Sequence, residues 1–97
     1  MERETVLKIL RGQQEELAER FGVRSLALFG SVARNQATPD SDVDLLVEFN
    51  RPVGLFQFID LQQYLERLLG GTVDLGTPNS LKPRLKDHVL QEAIRVT

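Results

Sequence analysis

The segment from Val23 to Phe49 leaves the chain few ways to fold. An apolar run, Val23 to Phe29, stops at Gly30-Ser31, and after ten intervening residues Asp42-Val43-Asp44 opens a second apolar run that continues to Phe49. Both runs have the length and apolar content of strands, and the polar stretch Thr38-Pro39-Asp40-Ser41 has the composition of a turn. In a strand, side chains two apart share a face, so Asp42 and Asp44 project together with α-carbons roughly 6.5 Å apart. Val43, Leu45 and Val47 then take the opposite face and face a core.

Two carboxylates held together on a rigid element repel, and one or two divalent cations relieve that repulsion. An oxygen-only donor set favours magnesium, with manganese as the alternative, over zinc. At the other end of the segment Gly30 permits a sharp turn after the first strand, and Ser31 is placed to cap a short helix running from Val32 to about Gln36. The free N–H groups of such a helix start suit a phosphate. Phosphate donors and metal ligands would thus face one spot. The plainer alternative is that the aspartates are turn caps or exposed polar residues, and the fixed Gly-Ser spacing before them argues against it.

Ninety-seven residues predict one domain, 1–97. A chain of this size buries about 65% of its unfolded surface, enough for one modest core without a second lobe to enclose a large substrate. A net charge of −2 argues against a non-specific nucleic-acid binder. The absence of cysteine excludes disulfides and thiolate metal sites and fits a reducing compartment. No apolar stretch approaches the ~18 residues of a membrane span, and no signal-peptide pattern precedes the first helix. These features predict a soluble cytoplasmic protein.

Val6, Ile9, Leu10, Leu17 and Phe21 recur at helical spacing, predicting one helix from Arg3 to Phe21 that Gly12 weakens and Gly22 ends. The wide stripe of Leu55, Phe56, Phe58, Ile59, Leu65, Leu68 and Leu69 predicts a helix packed across the sheet. Gly70-Gly71 stops it, and Thr72 to Leu75 reads as a short third strand. Pro83 suits the first turn of a last helix reaching about Glu92, with Leu81, Leu85, Val89 and Leu90 as its buried stripe. Ala93 to Val96 is a candidate terminal strand. This order of elements predicts α/β layering, a small mixed sheet with helices packed on it.

Asp74 stands between Val73 and Leu75, where an unpaired carboxylate would be costly in a buried strand. If the third strand lies beside the second, Asp74 completes a three-carboxylate cluster with Asp42 and Asp44 and can serve as general base. Glu48 shares their alternation but lies roughly 13 Å of strand beyond Asp44, too far to share a metal. By spacing alone Arg34 is a solvated helix residue, as are Lys82, Arg84 and Lys86, and His88 has no second ligand near it in sequence.

Gly30-Ser31, ten residues, then Asp42-x-Asp44 resembles the motif of the DNA polymerase β-like nucleotidyltransferases. The Gly-Ser-x-Ala-Arg opening, the Ser-Asp-Val-Asp-Leu-Leu-Val run and the short chain are similar to the minimal nucleotidyltransferase (MNT) family, over nearly the whole length. The resemblance implies the polymerase β-like fold and a site of Asp42, Asp44 and Asp74 holding two magnesium ions. Asp74 matches the family's third acidic residue in a comparable Val-Asp-Leu strand, and Gly30, Ser31 and Arg34 are expected to bind nucleotide phosphates. It further implies ATP as donor and, as acceptor, a tyrosine hydroxyl of a helical HEPN-domain toxin, which AMP transfer silences. One departure is Asn35, which stands where the family has glycine. Two other classes remain open on the residues: an antitoxin that merely occludes its partner, and the catalytic half of a two-chain enzyme acting on a small molecule.

Overall fold

The computed structural model describes residues 1–97. The N-terminal helical segment is two helices, α1 (Arg3–Arg11) and α2 (Gln14–Phe21), rather than the single one its periodicity predicts. Gly12 is the cause. There the helical ladder tightens, the Gln13 N–H turning back to the Leu10 carbonyl, and the Gln13 backbone at φ −114° and ψ 17° leaves the helical region. The Tyr64 hydroxyl donates to Gln13 Oε1 at 2.9 Å and pins the break. Val6, Leu7 and Leu10 of α1 and Leu17 and Phe21 of α2 still enter one core.

Four strands and three further α-helices follow the predicted order. Strand β1 (Val23–Phe29) leads into the one-turn helix α3 (Gly30–Ala33), and β2 (Val43–Phe49) precedes the long helix α4 (Leu55–Leu69). Then come β3 (Val73–Gly76), a 3₁₀ turn at Pro78–Ser80, α5 (Pro83–Glu92) and the two-residue strand β4 (Ile94–Arg95). The sheet runs β3-β2-β1-β4, with β2 and β3 parallel and both other pairs antiparallel. It is therefore a mixed sheet, as expected. An irregularity in β1 between Val23 and Ser25 lets both Val23 and Leu26 face the core although they are three apart. The expectation that β1 is buried on both faces holds only in part, since Ala27 and Phe29 are half-buried.

One face of the sheet carries the core. Val43, Leu45 and Val47 of β2 and Val73 and Leu75 of β3 pack against α1, α2 and α4, where Leu61, Leu65 and Leu69 are buried. The stripe on α4 is narrower than its sequence suggests: Leu55 and Phe56 are 71% and 83% exposed. The apolar positions on α5 also fail to bury. No residue of that helix is fully buried, and Leu85 and Leu90 remain on the surface. No helix is long and apolar enough to cross a membrane.

The opposite face of the sheet holds Asp44, Leu46 and Glu48 of β2 and Asp74 of β3. Leu46 is buried there outside the main core. Glu48 is exposed and engaged elsewhere, accepting from Arg24 at 2.7 Å and Ser25 at 3.1 Å, which holds its carboxyl below the usual range.

Candidate active site

Three neighbouring strands deliver the site. The register sets Phe29, Asp44 and Asp74 side by side across β1, β2 and β3, so Asp44 and Asp74 sit on adjacent strands of the open face. Residues paired in this way point to the same side of a sheet. The argument that Asp74 would be a costly buried carboxylate does not apply, because its side chain is exposed; the neighbouring strand at Asp44 is what singles it out. Asp42 lies one residue before β2 begins, at the end of the turn rather than within the strand, and is exposed to solvent.

The electrostatics follow from this packing. Asp44 is raised from 3.8 to about 6, first by partial burial, then by the charges of Asp74 and Asp42, with Arg34 opposing and a hydrogen bond that the protonated Asp44 carboxyl donates to Asp74 adding to the rise. Its neighbours are thus two carboxylates and one guanidinium. As the chain stands, no three acidic or histidine side chains are drawn together closely enough to hold a metal ion. The donor chemistry nonetheless fits a hard divalent cation. A cation bound by these oxygens would relieve the mutual repulsion that, after burial, raises Asp44.

Gly30 sits against this group. Its φ of 76° lies in the left-handed region, and a β-carbon there would come within 2.1 Å of Asp44 Oδ2. Two independent constraints therefore require glycine: the turn from β1 into α3 and the close approach of the Asp44 carboxylate. Ser31 does not cap α3 as its sequence position suggested. The helix begins one residue earlier, at Gly30, with Phe29 as cap, so Ser31 falls inside the first turn, where its carbonyl accepts from the Gln36 N–H at 2.8 Å. Asn35 adopts φ 61°, which accounts for a glycine at the matching family position; asparagine is one of the few other residues that tolerate this conformation.

Arg34 follows α3 and turns back over it. Its Nη1 donates to Glu92 Oε1 at 3.1 Å and its Nε to Gln36 Oε1 at 3.2 Å. Glu92, at the end of α5, also accepts from the Gly30 backbone N–H at 3.4 Å. Sequence reasoning passed over Glu92 entirely, since only the return of α5 across β1 brings it to the Gly-Ser turn. His88 stays on the surface, as expected, one helical turn before Glu92. Lys82, just before α5, and Arg84 in its first turn are exposed.

The largest hollow in the molecule, of about 640 Å³, lies away from these carboxylates, between Arg24, Glu48, the 50–55 loop and Thr77–Asn79. A smaller one of about 390 Å³ reaches Asp42 from the side of Ser41 and Gly70-Gly71. Neither is lined by Asp44 or Asp74, which stand on an open face. Such a site must receive any bulky acceptor from outside the chain.

Comparison with known proteins identifies the family. Residues 10–96 match the nucleotidyltransferase domain family. The protein adenylyltransferase MntA of Thermococcus cleftensis is 47% identical over 96% of this chain and 94% of its own. A solved structure provisionally described as a minimal nucleotidyltransferase superposes with a TM-score of 0.81 at 44% identity, over 97% of this chain and 95% of that one. The fold is also shared, at 19% identity and a TM-score of 0.66 over 94% of this chain and 71% of the other, by a complex of a tri-AMPylated Shewanella oneidensis HEPN toxin with its MNT antitoxin. The register of Asp44 on Asp74 behind a Gly-Ser turn is thus set in a chain that belongs to the nucleotidyltransferase domain family and, within it, to the minimal nucleotidyltransferases.

Proposed function

We propose that the chain is the antitoxin of a prokaryotic, cytoplasmic toxin–antitoxin pair and acts by transferring AMP from ATP to a hydroxyl, that of a tyrosine, on a HEPN-domain toxin. The observation that carries this reading is the pairing of Asp44 with Asp74 on adjacent strands, with Gly30 packed against the Asp44 carboxylate. The kinship with a named protein adenylyltransferase over nearly the full chain supports the reaction type. The shared fold with an antitoxin in complex with an AMPylated HEPN toxin supports the acceptor. So do the apolar side chains left on the surface at Leu55, Phe56, Leu85 and Leu90, which suit a protein partner better than a small molecule.

In this reading Asp42, Asp44 and Asp74 hold two divalent cations, magnesium by preference with manganese as substitute. Bound there, the cations would neutralise the phosphates and lower the pKa of the attacking hydroxyl. The Gly30 N–H, the Ser31 turn and the Arg34 guanidinium bind the β- and γ-phosphates. Asp74, exposed at the rim of the carboxylate group, accepts the proton of the acceptor hydroxyl as its oxygen attacks the α-phosphorus. The new oxygen–phosphorus bond forms as the bond from the α-phosphorus to the bridging oxygen breaks, and pyrophosphate leaves with the electron pair. Most of the rate gain in such a displacement comes from positioning and charge neutralisation.

Intact mass spectrometry of a co-expressed HEPN partner, incubated with the chain, ATP and magnesium, tests this directly. The expected result is a gain of one or more AMP units on the partner, lost with Asp42→Ala. A tight complex without mass change would replace transfer by occlusion, and AMP found on an added small molecule in place of the partner would replace the protein acceptor.

A further inference from the structure

We infer that Glu92 is a built-in competitor of the nucleotide's phosphates: its carboxylate occupies the donors of the Gly-Ser turn until a nucleotide displaces it, and so sets nucleotide affinity. The inference rests on the reading of Gly30 and Arg34 as phosphate donors given above. One oxygen of Glu92, Oε1, accepts from both of them, at 3.4 Å from the Gly30 N–H and 3.1 Å from Arg34 Nη1. The other, Oε2, faces His88 Nε2 at 3.7 Å. An anionic group thus already rests on a backbone amide and a guanidinium, the pair of donors that a phosphate oxygen would use. The contact is partly sheltered, with the Glu92 side chain 19% exposed.

A triphosphate and Glu92 cannot both take the Gly30 N–H, although the guanidinium has donors to spare. The Gly30 N–H has a single hydrogen to give, and a carboxylate left beside bound phosphates would be repelled by them. Release of the Glu92 side chain costs the fold no core packing, because α5 contributes no fully buried residue, and the chain just beyond it stays fixed by the pairing of β4 with β1. The alternative is that Glu92 steers Arg34 toward the phosphates and stays in place. The two roles give opposite signs: a competitor weakens nucleotide binding, whereas a positioning residue strengthens it.

The test is calorimetric titration of the chain and of Glu92→Gln and Arg34→Ala with ATP and, separately, with inorganic pyrophosphate, each with magnesium. Glutamine keeps the shape and an acceptor oxygen but removes the charge, so competition predicts binding tighter by about three- to tenfold for both ligands, the range expected for loss of a charge-assisted contact. Arg34→Ala should weaken both. If Arg34→Ala weakens binding while Glu92→Gln leaves it unchanged or weakens it, the competitor role is overturned and the phosphate reading stands. If neither variant alters binding, Arg34 and Gly30 are not phosphate donors and both ideas fall. A second readout needs no variant beyond assignment: the side-chain carboxyl carbon resonance of Glu92 in the native chain should move toward that of a free glutamate as magnesium pyrophosphate saturates the site. A resonance that stays put at saturation would equally overturn the displacement.

Discussion

Asp44→Asn separates the charge of the central carboxylate from its shape. In the metal-free protein Asp44 holds its proton up to about pH 6, against 3.8 for the ordinary group. The native state therefore binds a proton more tightly than the unfolded chain does. A carboxyl raised on folding contributes its full stabilisation below the unfolded value, near pH 4, and loses it as the pH rises through about 6. Above that, the folded protein carries an ionised Asp44 beside Asp74 and Asp42. Taken whole, the displacement from 3.8 to about 6 corresponds to about 3 kcal/mol. Because the group is partly exposed, solvent screening brings this to about 1–2 kcal/mol.

Asparagine has the same outline, and its amide can donate to Asp74 as the protonated carboxyl does. Asp44→Asn is therefore expected to be more stable than the native chain by about 1–2 kcal/mol at pH 7 and above, with the difference vanishing toward pH 4. Urea denaturation in the presence of a chelator, at pH intervals from 4 to 8, reads this out as a difference between two curves, free of what other groups do. Magnesium should then stabilise the native chain and not the variant, since a ligand that binds only the folded state shifts its stability. A variant less stable than the native chain at pH 7 would refute the reasoning, because it would mean that attraction to Arg34 outweighs burial and the two neighbouring carboxylates.

Much of the scaffold could be read from apolar periodicity. Val43, Leu45 and Val47 alternate as a half-buried strand must, and they bury as a set. The carboxylate at Asp44 was legible for the same reason, since one face of a strand fixes the other. The failures share a different cause. Gly12 weakens a helix by its propensity, but whether a helix bends or breaks there depends on what fastens the break, and Tyr64, far away in sequence, does so. Leu55, Phe56, Leu85 and Leu90 fit helical stripes, yet a stripe says only which face is apolar and not whether anything lies under it. Ser31 has the right composition for a cap, but the helix starts one residue earlier, at Gly30, with Phe29 as its cap. Glu92 carried no local signal, because its role at the Gly-Ser turn exists only once α5 has crossed β1.

Two further substitutions probe the frame of the site. Tyr64→Phe removes the hydroxyl that donates to Gln13 and keeps the ring packed at a tilt against Phe21, centroids 4.9 Å apart; it should cost about 0.5–1.5 kcal/mol in urea denaturation, and no cost would mean that the break between α1 and α2 is held by packing alone. Gly30→Ala places a β-carbon 2.1 Å from Asp44 Oδ2 and 2.9 Å from its Cγ, on backbone at φ 76°. Conformational strain costs about 1–2 kcal/mol by itself, while displacing Asp44 by an ångström should lower transfer by about 100-fold. Introducing Gly30→Ala into an Asp44→Ala background removes the contacts with Oδ2 and Cγ and leaves the strain and a 3.1 Å approach to the remaining β-carbon, so the stability cost should shrink; an undiminished cost would show that glycine serves the turn and not the carboxylate.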